Sequence, residues 1–338
     1  DRAREQSQRE THARRQWQAL QQVTARLSGA ATVAEVNEVL TRDGPAALAP
    51  AEPALGDAAA RTLAALGGQA LQRAELFENE RRAAHQLQRA LLPAIMADLP
   101  GVSAAARYLP ATRGQDVGGD WYDVFALPAG RVGIVVGDVI GHGLTAAVAM
   151  GRLQQYVRWI ARKGAGPADI LGELDELCPS IPGAGYVTVG YAEYDPAAGL
   201  LCHARAGHPP PLLVTGGEAA YLWDALSEPL PRAAGRRPQA QIVVAPGTML
   251  VWYSDGLVER RTETLDAGLE RLRAAAGTIA GRRPGHWCDC LLETMTSGRP
   301  TGDDSVVTCV RLGPARYIGA EAGVPMQAVP TRRKPSRE

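Results

Sequence analysis

The chain has 338 residues, 46% of them hydrophobic and 21% charged, enough for one large domain or two smaller ones around a sizeable core. Its 36 basic and 36 acidic side chains cancel, which excludes a global field that gathers nucleic acid or an anionic membrane surface. The most apolar run, Val132 to Met150, is broken by Gly137, Asp138, Gly141, His142 and Gly143, so it falls short of a membrane span of roughly 20 apolar residues. Five cysteines, an odd number with no secretory leader ahead of them, point to reduced thiols in a cytoplasm. Cys288 and Cys290 form a CxC pair, but no second Cys or His pair stands at finger-like spacing, and they read as small apolar residues. Because it starts at Asp1 rather than Met, the chain reads as a piece of something longer.

Residues 1 to 90 are rich in Ala, Gln, Glu and Arg and poor in strand formers, which predicts helix throughout, interrupted by TRDGPAALAPAEPALGD at 41 to 57. Leu63, Ala70, Phe77, Ala84 and Leu91 recur every seven residues, while Arg73 and Glu80 occupy companion positions. Half a heptad seam pairs with a second chain or lies on the next domain, and the sequence leaves both open. From Pro93 the pattern changes to short Val, Ile, Tyr and Trp runs between Gly, Pro and Asp, the mark of strands and turns. Strands are predicted near 102–108, 121–127, 131–137, 186–194, 199–205, 211–215, 240–245, 248–254 and 305–311. Helices are predicted for LTAAVAMGRLQQYVRWIARKG, PADILGELDELC, 265–276 and 286–297. Runs of strands followed by helix pairs favour α+β over a regular βαβ repeat. The expected division is a helical region with an Ala/Pro linker at 1–60, a linker helix at 61–92, a strand-rich domain at 93–313 and a disordered Pro/Arg-rich tail at 314–338.

Four acidic sites abut apolar strands: Asp120 in VGGDWYD, Asp138 in IVVGDVIGHG, Asp255 in MLVWYSDGLVE, and Asp303 with Asp304 in TGDDSVVTCV. Singly, each is a plain turn residue. Together at buried strand ends they repel and lose hydration unless a cation compensates them. With no His or Cys cluster beside them the donors are hard oxygens, which suits magnesium or manganese rather than zinc.

LQRALLP (87–93), VGGDWYDVF (117–125), GDVIGHGLTAA (137–147), AGHPPPLL (206–213), LVWYSDGLVE (250–259) and GDDSVV (302–307) occur in that order. This succession resembles the bacterial SpoIIE/RsbU-like branch of the PPM, or protein phosphatase 2C-like, serine/threonine phosphatases. A lone GGD also marks diguanylate cyclases, but there it continues with Glu-Phe, and here Trp121 follows Asp120. The resemblance implies a sandwich of two antiparallel sheets flanked by helix pairs, with two Mn²⁺ or Mg²⁺ ions in a cleft at one end. It implies that Asp138 bridges both ions and that the Val139 carbonyl joins it. Asp255 and Asp303 would hold one ion, Asp120 would complete the cluster partly through water, and Asp304 is the less certain member of its pair. Asp120 and Asp138 are the expected catalytic residues. Two such ions would acidify a shared water toward neutrality and favour its attack on phosphorus. Gly137, Gly141 and Gly143 are expected to let the chain curl close to the ions.

Where eukaryotic relatives place a phosphate-binding arginine, this chain has Gln115, with Arg113 nearby. His142 is a candidate proton donor or a loop former, His208 a brace for a turn, and Asp123 a strand or turn partner. The helices of residues 1–90 resemble the outer helices of a GAF sensor domain, with too few residues between them for its sheet. The expected activity is hydrolysis of phosphoserine or phosphothreonine, on a phosphorylated anti-anti-sigma (STAS) protein as the resemblance implies, with a homodimer through the N-terminal helices. The alternative is a catalytically inactive scaffold that binds a phosphoprotein.

Overall fold

A computed structural model of the chain describes residues 2–48, 53–91, 98–109, 118–141, 143–232, 235–260, 262–279, 281, 283–296 and 304–314. Arg113, Gln115, His142, Asp303 and nearly all of the expected tail lie outside the described residues. The chain divides into two compact units, Asp1–Ala90 and Leu91–Glu338.

The first unit holds α1 (Arg2–Gly29), α2 (Val33–Arg42), α3 (Gly44–Leu48) and α4 (Pro53–Leu91). Thr32 and Glu35 form a reciprocal capping box that starts α2. Arg73 of α4 donates to the Leu27 carbonyl at 2.7 Å, closing the otherwise unpaired end of α1. Leu63 and Ala70 of the heptad seam, with Ala74, pack against Val23, Leu27, Val36, Val39 and Ala47, while Phe77 is half-buried and stands outside this cluster. Part of the expected 41–57 break is helical: Pro45 fits the first turn of α3, where its missing N–H costs nothing. The expected boundary at residues 60 and 61 falls inside α4. The described residues of this unit form no strand and lend the GAF likeness no support.

The second unit contains β1 (Asp98–Leu99), β2 (Val102–Leu109), β3 (Trp121–Ala126), β4 (Val132–Val139), α5 (Leu144–Arg162), α6 (Pro167–Leu177), β5 (Val187–Asp195), β6 (Leu200–Ala206), β7 (Leu212–Thr215), β8 (Glu218–Tyr221), β9 (Leu226–Ser227), β10 (Ala240–Val243), β11 (Met249–Tyr253), α7 (Leu265–Thr278), α8 (Pro284–Thr296) and β12 (Ser305–Leu312). One sheet runs β1-β2-β12-β11-β7-β8 and the other β10-β6-β5-β4-β3, all neighbours antiparallel, with β9 added parallel to β6. This is the α+β sandwich expected from the motifs.

Period-two alternation decides which side chain enters which layer. On β4, Val132, Ile134 and Val136 face the other sheet, where they meet Leu250, Trp252, Val306 and Val310. Val135 and Val139 face the opposite way, onto Met150, Leu153 and Val157 of α5 and Ile170, Leu171 and Leu174 of α6. A strand buried on both faces must be apolar at nearly every position, which is why this segment is the most hydrophobic of the chain. The β11–β12 side is closed by Leu269 and Leu272 of α7 and Cys288, Leu291 and Met295 of α8. Each such side chain contributes about 1.5–3 kcal/mol by leaving water. Among the described residues, no helix is long and apolar enough to cross a membrane.

Candidate metal centre and active site

β3 and β4 pair with Trp121 opposite Gly137. Continuing that register places Asp120 opposite Asp138, and the Val139 amide donates to the Gly119 carbonyl at 3.2 Å. Trp121 points into the layer under α5 and α6, so alternation turns Asp120 and Asp138 toward the other sheet. Gly137 serves the tryptophan rather than an ion, since a Cβ there would strike the Trp121 ring. From the facing sheet, β11 ends into Ser254 and a single 3-10 turn, Asp255–Leu257, while Asp304 stands immediately before β12. Ser254 and Asp304 have the parity of Trp252 and Val306, so they look into the space between the sheets.

Four carboxylates from four separate segments therefore gather at one end of the sandwich, graded in depth. Asp120 and Asp304 are buried, 3% and 5% exposed, while Asp138 and Asp255 are half-buried. Burial first, then the charge of Asp138, holds the Asp120 carboxyl well above the usual carboxylate range; Asp255 and Asp304 push the same way, and the Ser254 hydroxyl pulls it down by hydrogen bonding. That hydroxyl is itself fixed by the Val306 amide, at 2.9 Å. Like charges directly across a ladder are destabilising. Gly118 and Gly119 make the approach feasible: a Cβ would run into the Asp304 carboxylate at the first and the Val139 carbonyl at the second.

Asp120 Oδ2 is buried without a hydrogen-bond partner, a group that costs about 1–3 kcal/mol or more if left so. The donor chemistry fits a hard divalent cation: carboxylate oxygens, the carbonyl of Val139 beside them and, among the described residues, no imidazole or thiolate grouped with them. Among the described residues, no three His, Cys, Asp or Glu side chains already form a ligand group. The structure thus brings Asp120 together with Asp138, Asp255 and Asp304 as an electrostatic cluster, and Asp303 is not among the described residues.

Asp123 is no part of this cluster. It is fully buried and paired with Arg158 of α5, whose second nitrogen bonds it at 2.7 Å while the guanidinium stacks over Phe125. His208 is fully buried and its Nδ1 lies 3.0 Å from the Thr188 hydroxyl, on the β5 residue opposite Asp138. Burial and nearby Arg205 push its imidazole down to about 3, so it stays neutral and braces two strands. The sequence reading missed Ser254 and Tyr108. Ser254 was within reach, as the neighbour of Asp255 in YSDG; Tyr108, in AAARYLP, carries no local signal.

The family model described as Stage II sporulation protein E (SpoIIE) matches residues 128–313, more than half of the chain. The chain is 27% identical over 150 residues to the phosphoserine phosphatase RsbP of Bacillus subtilis, covering 43% of this chain and 37% of that one. It superposes on the RsbU and RsbW domains of Rv1364c from Mycobacterium tuberculosis with a TM-score of 0.59 and 34% identity, covering 64% of this chain and 63% of that one. It shares the fold of the PP2C phosphatase domain of SpoIIE from Bacillus subtilis, with a TM-score of 0.55, 19% identity and coverage of 63% and 62%. The chain spans well under two thirds of the length of RsbP. A matching family model over β4 to β12 and an acidic cluster at the end of a PP2C-type sandwich agree: this chain belongs to the SpoIIE family.

Proposed function

We propose that this protein is a metal-dependent phosphatase that removes phosphate from phosphoserine or phosphothreonine on a protein. The observation that carries this reading is buried Asp120, opposite Asp138 and facing Asp255 and Asp304, with one oxygen lacking a partner. Its similarity to RsbP, a phosphoserine phosphatase, supports the substrate class. As with other members of the PPM superfamily, the cofactors are two Mn²⁺ or Mg²⁺ ions. Asp120, Asp138, Asp255 and the Val139 carbonyl would hold them, joined by Asp303. When bound, these ions supply Lewis acidity and an acidified water.

The chain's own residues supply placement. Ser254 donates to Asp120 and partly offsets the burial and repulsion that raise its carboxyl, Gly118 and Gly119 let that strand end press against Asp304 and Val139, and Trp121 anchors the segment in the core. Phosphate brings further negative charge to a cleft already lined by four aspartates, so its binding would depend on the cations. The substrate that the motif resemblance implies is a phosphorylated STAS protein in a partner-switching pathway; similarity to the phosphoserine phosphatases RsbP and RsbU supports a phosphoprotein.

Purified protein should hydrolyse an aryl phosphate with Mn²⁺ and stop in EDTA. Asp138→Asn and Asp255→Asn should each lose on the order of 100-fold in kcat/KM, about 2.7 kcal/mol of transition-state stabilisation. Full activity in either variant removes that residue from the site, and metal-independent binding of a phosphoprotein with no phosphate release would make the protein a scaffold.

A further inference from the structure

Asp304 makes contacts that point to a different role from that of its neighbours. Tyr108 lies opposite Val306 in the β2–β12 ladder, and its hydroxyl donates to Asp304 Oδ2. The same oxygen accepts from the Gly118 amide at 2.8 Å. Gly118 opens the Gly-Gly-Asp segment that ends in Asp120, and the main-chain carbonyl of Asp304 lies tight against Gly256, where a Cβ would strike it. Asp304 is therefore wedged between the segment carrying Asp120 and the residue that follows Asp255. From this juxtaposition we infer that Tyr108 and Asp304 form a brace that sets the spacing between the two halves of the acidic cleft. Tyr108 is a positioning residue acting through Asp304, and Asp304 is a double hydrogen-bond acceptor rather than a metal ligand. The inference rests on the phosphatase reading of the same cleft.

The two roles make opposite demands on one side chain. A ligand to a hard divalent cation needs the carboxylate charge. A double acceptor needs only an oxygen with two lone pairs, which an asparagine amide also has. Residues outside the ligand shell that orient it typically change metal affinity or activity about 10–100-fold when removed.

The test uses the full chain, calorimetric titration with MnCl₂ alone, aryl phosphate turnover across a Mn²⁺ series, and melting in EDTA as a check on folding. Tyr108→Phe and Asp304→Ala should each weaken Mn²⁺ binding about 10–100-fold, and much of the lost turnover should return at saturating Mn²⁺. The double variant should be no worse than Asp304→Ala alone, because the pair acts as one unit. Asp304→Asn should recover most of the affinity that Asp304→Ala loses. The brace is overturned if Asp304→Asn loses Mn²⁺ as completely as Asp138→Asn, or if Tyr108→Phe binds and turns over like the parent. A parent protein that neither binds Mn²⁺ nor hydrolyses the ester sinks the phosphatase reading and the brace with it; a working parent with either variant result just named sinks the brace alone.

Discussion

At the scale of single residues the decisive fact is a conflict of charge. Asp120 would be an ordinary turn residue in water, but burial and the Asp138 carboxylate across the ladder disfavour its ionised form. Removing one of the two charges should relieve the other, so in EDTA Asp138→Asn should melt at or above the temperature of the parent. Added Mn²⁺ should reverse that order, stabilising the parent by about 2.7 kcal/mol at a free concentration 100 times its Kd and the variant hardly at all. Calorimetric melts with and without metal read both effects, and a variant stabilised by Mn²⁺ as much as the parent would contradict them. His203 gives a separate pH signature. Burial, with Arg205 nearby, pushes its imidazole down from 6.5 to about 4. A depressed folded-state value means that the unfolded chain takes up the proton first, so this contribution is complete above pH 6.5 and drains away between 6.5 and about 4. The stability difference between the parent and His203→Gln, measured in urea, should change across that window and stay flat above it.

Among the elements, α5 is tied to the sheet by one buried ion pair, Arg158 with Asp123. Asp123 is fully enclosed while Arg158 keeps 30% of its side chain exposed. Removing the arginine therefore strands the more deeply buried charge. Arg158→Met should cost about 3 kcal/mol or more and Asp123→Asn less, since the freed guanidinium can turn to water. Urea unfolding followed by circular dichroism checks the order, and the reverse order would show that the pair is not what fixes the helix. Strand prediction worked where apolar runs end at Gly or Asp, as in β4 and β11, because both burial and the turn are local properties. β8 went unpredicted since EAAY has little strand character, although Gly216 and Gly217, both at positive φ, were a hairpin signal within reach. β9 is two residues whose only reason to be a strand is the distant edge of β6.

For the molecule as a whole, two cores are independent of each other in composition: one formed by α1 to α4, the other by the sandwich and its helices. The heptad seam through Leu63 and Ala70 belongs to the first core. A dimer formed through Leu63 and Ala70 would have to pull that part of α4 away from α1 and α2, so Leu63→Ala should first show itself as a loss of about 2–5 kcal/mol in the stability of this unit. Light scattering at micromolar concentration tests the expected homodimer, which a monomeric mass removes.

The sequence by itself marked the acidic candidates and the ends of the strands that precede them, since Gly-Gly-Asp, Gly-Asp and Ser-Asp-Gly after apolar runs are local statements about turns and burial. Only the tertiary structure decided what those carboxylates do to one another. Asp120, Asp138, Asp255 and Asp304 are far apart along the chain, and repulsion, desolvation and the hydrogen bonds from Ser254 and Tyr108 arise once two sheets bring their ends together. Coulomb energy and burial depend on distance in space, which no spacing in sequence encodes.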